Sequence, residues 1–138
     1  MSNGKPFENK IERWLEEINI YHQRFFDARS VRGMTASRPA DYFTYRESQL
    51  TFLELKSREK KRIALRDLSQ MKKMLQAQKV GIVCFFLIQY EDSRIYAIGP
   101  NAIYKYAKDN PEKKSINEEI AIILGKRIMD KFDLNTLL

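Results

Sequence analysis

A single cysteine, Cys84, excludes an intramolecular disulfide and any multi-cysteine zinc site. It stands in Val80-Gly81-Ile82-Val83-Cys84-Phe85-Phe86-Leu87-Ile88, where a thiol acts as a small buried hydrophobe rather than a nucleophile. A single histidine, His22, argues equally against a His-rich metal centre or a His-based triad. No apolar run approaches the roughly 18–20 residues needed to cross a bilayer, and the opening Met-Ser-Asn-Gly-Lys-Pro has no apolar signal-peptide core. Internal repeats, low-complexity tracts and Pro/Gly/Ser linkers are missing too. Catalysis is left to carboxylates, lysines or a metal held by oxygen ligands, in a chain expected to be cytoplasmic.

What is present suits one domain spanning residues 1–138. A 43% hydrophobic and 31% charged composition supports one substantial core. The balance of 25 Lys+Arg against 18 Asp+Glu, a formal net charge of +7, suits a polyanionic partner, nucleic acid or an acidic membrane surface. The membrane is disfavoured, because no basic amphipathic helix with large apolar anchors is visible.

Phe7, Ile11, Trp14, Leu15, Ile18 and Tyr21 recur at helical spacing, predicting a helix over 6–19 with Pro6 in its first turn. Tyr21–Ala28 reads as a strand and Arg29–Arg38 as a loop. Ala40–Tyr45 and Gln49–Ser57 read as two further strands. Ile63–Gln78, with Leu65, Leu68, Met71, Met74 and Leu75 on one face, predicts a second helix. The run through Ile88 predicts a strand buried on both faces, and Ser93–Gly99 a shorter partner. Ser115-Ile116-Asn117-Glu118 resembles a capping box opening a terminal helix along Ile116, Ile120, Ile123, Leu124 and Ile128. That helix is apolar enough to pack on its own sheet first and to share in a dimer interface second.

The chemistry concentrates in one hairpin. With a two-residue turn at Glu47-Ser48, or a four-residue loop over 46–49, Tyr45 faces Leu50, Phe43 faces Phe52 and Asp41 faces Glu54. Strand alternation then puts Asp41, Phe43, Phe52, Glu54 and Lys56 on one face. Opposed side chains have Cβ atoms roughly 4.5–5.5 Å apart, and two carboxylates so placed repel unless a positive charge lies between them. A divalent cation suits that place. Lys56, roughly 6.5–7 Å beyond Glu54, could help orient a water or stabilise charge building on phosphorus. A three-residue loop would slip the register and spoil the arrangement. Glu54 and Lys56 alone would be unremarkable on a half-exposed strand.

Pro39-Ala40-Asp41, followed thirteen residues after Asp41 by Glu54-Leu55-Lys56, resembles the PD-(D/E)xK nuclease superfamily. The predicted order of elements also resembles that superfamily's core. Within it, Gly4-Lys5-Pro6-Phe7-Glu8, Arg38-Pro39-Ala40-Asp41-Tyr42, Phe52-Leu53-Glu54-Leu55-Lys56-Ser57, the Leu65–Gln70 stretch and Gly81-Ile82-Val83-Cys84-Phe85 resemble RecU-type Holliday junction resolvases, including short phage-encoded forms. The resemblance covers roughly residues 4–90 and is loose beyond Gly99.

It implies an α/β (α+β) restriction-endonuclease-like core: helix, three strands, helix, strand around a central mixed sheet, with an extra strand and a C-terminal helix. It further implies Mg²⁺, with Mn²⁺ able to substitute, and paired cuts in branched double-stranded DNA by a homodimer. Asp41, Glu54, Lys56 and Gln70 would be catalytic, and Asp41, Glu54, Glu8 and Leu55 would hold the metal. Glu8 has an alternative as a favourable negative charge in a helix first turn. Gln70 has one as a surface residue; its match needs a one-residue gap and has Ser69 where the family more often has His. Arg24, Arg29, Arg32 and Arg38, interleaved with small hydroxyl residues, suit phosphate contacts. Arg58, Lys60, Lys61 and Arg62 could track the backbone away from the cut. A basic surface loop and solvated helix-start charge are the bland readings of these two runs. Alternatives in function are a nuclease acting on linear duplex, flaps or ends, and a non-catalytic DNA-binding protein of the same fold. The short N-terminal region favours a phage over a bacterial origin.

Overall fold

The computed structural model describes residues 4–25, 38–58, 62–91 and 93–138. The sheet grows from the hairpin. Glu47 and Ser48 both adopt positive φ (51° and 68°), the conformation of a two-residue type I′ turn, whose twist matches that of the strands it joins. It connects β2 (Tyr42–Arg46) to β3 (Gln49–Arg58) in the expected register, with Tyr45 opposite Leu50 and Phe43 opposite Phe52. Neither turn residue is the Asn or Gly that the conformation favours. Replacing Glu47-Ser48 by Asn-Gly is expected to stabilise the protein by about 1 kcal/mol, read as a raised urea midpoint with unchanged slope.

Around this hairpin, β1 (Tyr21–Arg24) pairs antiparallel with β2, and β5 (Val83–Tyr90) lies parallel to β3. β6 (Arg94–Ile98) and β8 (Lys126–Ile128) extend the sheet antiparallel beyond β5. The order is β1-β2-β3-β5-β6-β8. Because β3 is central, its alternate residues feed two cores. Leu53 and Leu55 pack on one face with Phe7, Ile11 and Leu15 of α1 (Gly4–Glu17), under α5 (Lys131–Leu137). Phe52 packs on the other with Met74 and Ala77 of α2 (Met71–Lys79), Ile103 of α3 (Pro100–Asp109) and Ala121 of α4 (Glu118–Leu124). Cys84 is buried in this second core, and burial pushes its thiol up to about 11, so it is the inert hydrophobe expected.

Several local expectations are corrected. The helix expected over Ile63–Gln78 is three pieces: β4 (Arg62–Ala64), a 3-10 turn (Leu65–Asp67), and α2, which begins only at Met71. Ile63 is drawn into a strand because it pairs with Ile116 of β7 (Ser115–Asn117), and both are fully buried. Ser115 therefore caps nothing. The cap is Asn117, whose side chain accepts from the Ile120 N–H at 2.9 Å. The terminal helix is likewise divided. At Gly125 the main chain passes so close to β6 that a Cβ would lie 2.3 Å from the Ala97 carbonyl oxygen, and Ile128 then sits in β8. Ala121 faces the core, whereas Ile122 and Ile123 are exposed, so this segment packs on its own sheet only in part. Helix α3 was not expected, although Pro100 in its first turn is a favoured start. Strand β1 ends at Arg24, short of the span to Ala28, whose last residues lie outside the described ones.

Candidate active site

Asp41 lies just ahead of β2 and is anchored by its main chain: its N–H donates to the Leu53 carbonyl at 3.1 Å, and its carbonyl accepts from the Phe25 N–H at 2.9 Å. Its carboxylate is held at both oxygens. Oδ2 accepts from the Leu55 N–H at 2.7 Å, and Oδ1 from Arg38 Nη2 at 2.7 Å. Residue 54 falls opposite Asp41 in the hairpin register, so β3 presents Glu54 to it, and both side chains are buried. Lys56, two residues on along the same face, brings Nζ to 3.4 Å from Glu54 Oε2. The cluster is thus two carboxylates, an ammonium and a guanidinium in a largely desolvated place.

It is not fully satisfied. Glu54 Oε1 and Arg38 Nε are buried without a hydrogen-bond partner among the described residues, and such groups are costly to leave unpaired. Burial, and then the negative charge of Asp41, push the Glu54 carboxyl up to about 7; Lys56 and Arg38 oppose the rise. A site with a strained, half-satisfied carboxylate beside a second one suits an added cation.

The remaining expected residues divide. Glu8 pairs with Arg24 (2.9 Å), whose guanidinium also donates to the Tyr42 hydroxyl at 3.3 Å and stacks over that ring. No group of three His, Cys, Asp or Glu side chains able to hold a metal occurs among the described residues, so Glu8 does not join Asp41 and Glu54 in one cluster. Gln70 precedes α2 at its cap position and is buried, not on the surface. Arg38 is occupied by Asp41 rather than standing free on a loop. Arg62 is exposed on β4, beside a cleft of about 410 Å³ lined also by Arg66 and Lys114. Lys114 was missed because it is far from the hairpin in sequence; the β4–β7 pairing brings it there. Arg29, Arg32, Lys60 and Lys61, and the side chain of Arg58, lie outside the described residues.

A mixed sheet with a parallel central pair, an α1 helix on one face and α2 on the other, carrying an acidic pair and a lysine on its central hairpin, is a restriction-endonuclease-like fold. Among solved structures the chain is similar to Archaeoglobus fulgidus Hjc, a Holliday junction resolvase from an archaeal hyperthermophile. The TM-score is 0.66 and the identity 16%, over 91% of this chain and 97% of that one. At that identity the likeness is one of fold. No family model matches the sequence, and no curated relative matches it. Among the described residues, no helix is long and apolar enough to cross a membrane.

Proposed function

We propose that this chain is a metal-dependent endodeoxyribonuclease that resolves four-way DNA junctions, of the RecU type, acting as a homodimer that makes paired cuts. The observation that carries the catalytic part is the buried Asp41–Glu54 pair, with Glu54 Oε1 unpartnered among the described residues. The junction part is supported by the fold shared with a junction resolvase and by a net charge of +7.

The donor set fits a hard divalent ion: two carboxylates, one with an unused buried oxygen, and the intervening main chain. Asp41 and Glu54, with the Leu55 carbonyl, would hold Mg²⁺ or Mn²⁺. When bound, the ion supplies Lewis-acid charge to the phosphate and lowers the pKa of water. The protein does the rest by placement. The Leu55 N–H fixes the Asp41 carboxylate against β3, so the two acids keep their spacing without side-chain freedom to lose. Lys56 stands beside Glu54 with its ammonium partly exposed, where it can donate to a phosphate oxygen as charge develops there. Arg62, Arg66 and Lys114, with no carboxylate on the cleft they line among the described residues, hold phosphates further along the strand.

Purified protein incubated with labelled four-way junction, linear duplex and single strand is expected to cut the junction in Mg²⁺ or Mn²⁺ and nothing in EDTA. Preferential cutting of linear duplex would reassign the substrate. Binding without cutting in either metal would make the chain a non-catalytic member of the fold. Retention of cleavage by Glu54→Ala would remove the proposed site.

A further inference from the structure

Arg38 already supplies a positive charge to the site. Its Nη2 lies 2.7 Å from Asp41 Oδ1, and its side chain is only 17% exposed. The pairing is nonetheless incomplete. The Leu55 N–H donates to Asp41 Oδ2, and the guanidinium reaches Asp41 through Oδ1 by a single hydrogen bond rather than by the two-pronged contact an arginine can make with a carboxylate. The Arg38 Nε–H is buried without a partner among the described residues. Arg38 also favours the ionised form of Glu54, so it acts on both carboxylates. A planar guanidinium with an unused donor, held by one oxygen, is better matched by a phosphate, which offers several.

We propose that Arg38 is a placeholder cation that exchanges Asp41 for a substrate phosphate, so that DNA and divalent metal load the site cooperatively. This rests on the nuclease reading of the same residues. Without DNA, a metal approaching Asp41 Oδ1 meets the like charge of the guanidinium and competes with its charge-assisted hydrogen bond. With DNA present, a phosphate takes the guanidinium and Oδ1 is open. Linkage makes the effect reciprocal: metal strengthens DNA binding by the same factor that DNA strengthens metal binding. A free nuclease would then carry little metal, which limits cutting to the bound state.

The test titrates Mn²⁺ calorimetrically into the protein alone and into protein saturated with a four-way junction bearing phosphorothioates at the branch point, subtracting Mn²⁺ uptake by the junction itself. For wild type, DNA is expected to tighten Mn²⁺ binding about tenfold, the scale of one hydrogen bond to a charged group. Arg38→Gln is expected to bind Mn²⁺ more tightly than wild type without DNA, with a DNA effect clearly smaller than that of wild type. Arg38→Lys, which keeps the charge and safeguards the fold, is expected to fall between them. A merely structural arginine would weaken metal binding when removed. Equal or weaker Mn²⁺ binding by Arg38→Gln alone, or an undiminished DNA effect, overturns the exchange. The nuclease reading fails separately, taking the exchange with it, if wild type takes up no Mn²⁺ with or without DNA, or if Asp41→Asn binds it as wild type does.

Discussion

Glu54→Gln is expected to abolish cleavage while making the metal-free protein more stable. The cause is the environment of the carboxyl. Burial and the neighbouring Asp41 charge raise it from the ordinary value of 4.5 to about 7, so the folded state resists its ionisation. The sign follows from proton uptake: between these values the folded protein binds more protons than the unfolded one. Stability therefore falls as pH rises through that window and stays at its lower level above it. At pH 8 the charged form costs at most about 3 kcal/mol. The neutral, similarly shaped amide removes that cost but keeps a polar group with an unmet oxygen, so a net gain of about 1–3 kcal/mol is expected. Urea unfolding in EDTA from pH 5 to pH 8 checks this: wild type loses stability across the range and Glu54→Gln does not. Adding Mg²⁺ should narrow the gap, because only the wild-type carboxylate gains from the ion. A variant less stable than wild type at pH 8 in EDTA would remove the argument from electrostatic frustration.

Asp41→Ala should also be inactive, with the opposite effect on stability. Both oxygens of the Asp41 carboxylate are engaged, accepting the Leu55 N–H at 2.7 Å and Arg38 Nη2 at 2.7 Å. Truncation leaves a buried main-chain donor of the central strand without its acceptor and strands a mostly buried guanidinium. A loss on the order of 2–4 kcal/mol is expected, measured in the same metal-free unfolding experiment. Two acids on one site face should thus separate cleanly: one serves the fold and the chemistry, the other serves only the chemistry and weakens the fold. Equal stability changes in the two variants would contradict that division.

How much of this was legible in the chain depends on how local the deciding forces are. The helix α1 stripe, Phe7, Ile11 and Leu15, is written at helical spacing and is buried as read. The hairpin was legible because its register follows from a turn of fixed length: once Glu47 and Ser48 form the turn, Tyr45 meets Leu50 and Asp41 comes to the level of Glu54. Cys84 and the buried β5 were legible from one unbroken apolar run. The stretch from 62 to 70 was not. Its apolar spacing suits a helix, but Ile63 gains more by pairing with Ile116, fifty-three residues away, than one turn of helix returns. The same distant pairing converted the apparent cap at Ser115 into strand and moved the true cap to Asn117.

For the site, the residue types and their order along the chain set which groups can meet: Asp41, Glu54 and Lys56 share a face because strands alternate and the hairpin turn has two residues. Only the tertiary structure decided how those groups are held. Arg38 reads in the chain as one more cation of a basic loop, and Glu8 as an acid near the metal. In the fold, Arg38 is bound to Asp41, while Glu8 is drawn to Arg24 beside Tyr42. Pairing between charges depends on distance and desolvation, which sequence spacing does not contain. That is also why the raised pKa of Glu54 and its unpartnered oxygen became visible only once β3 was buried between two layers of helices.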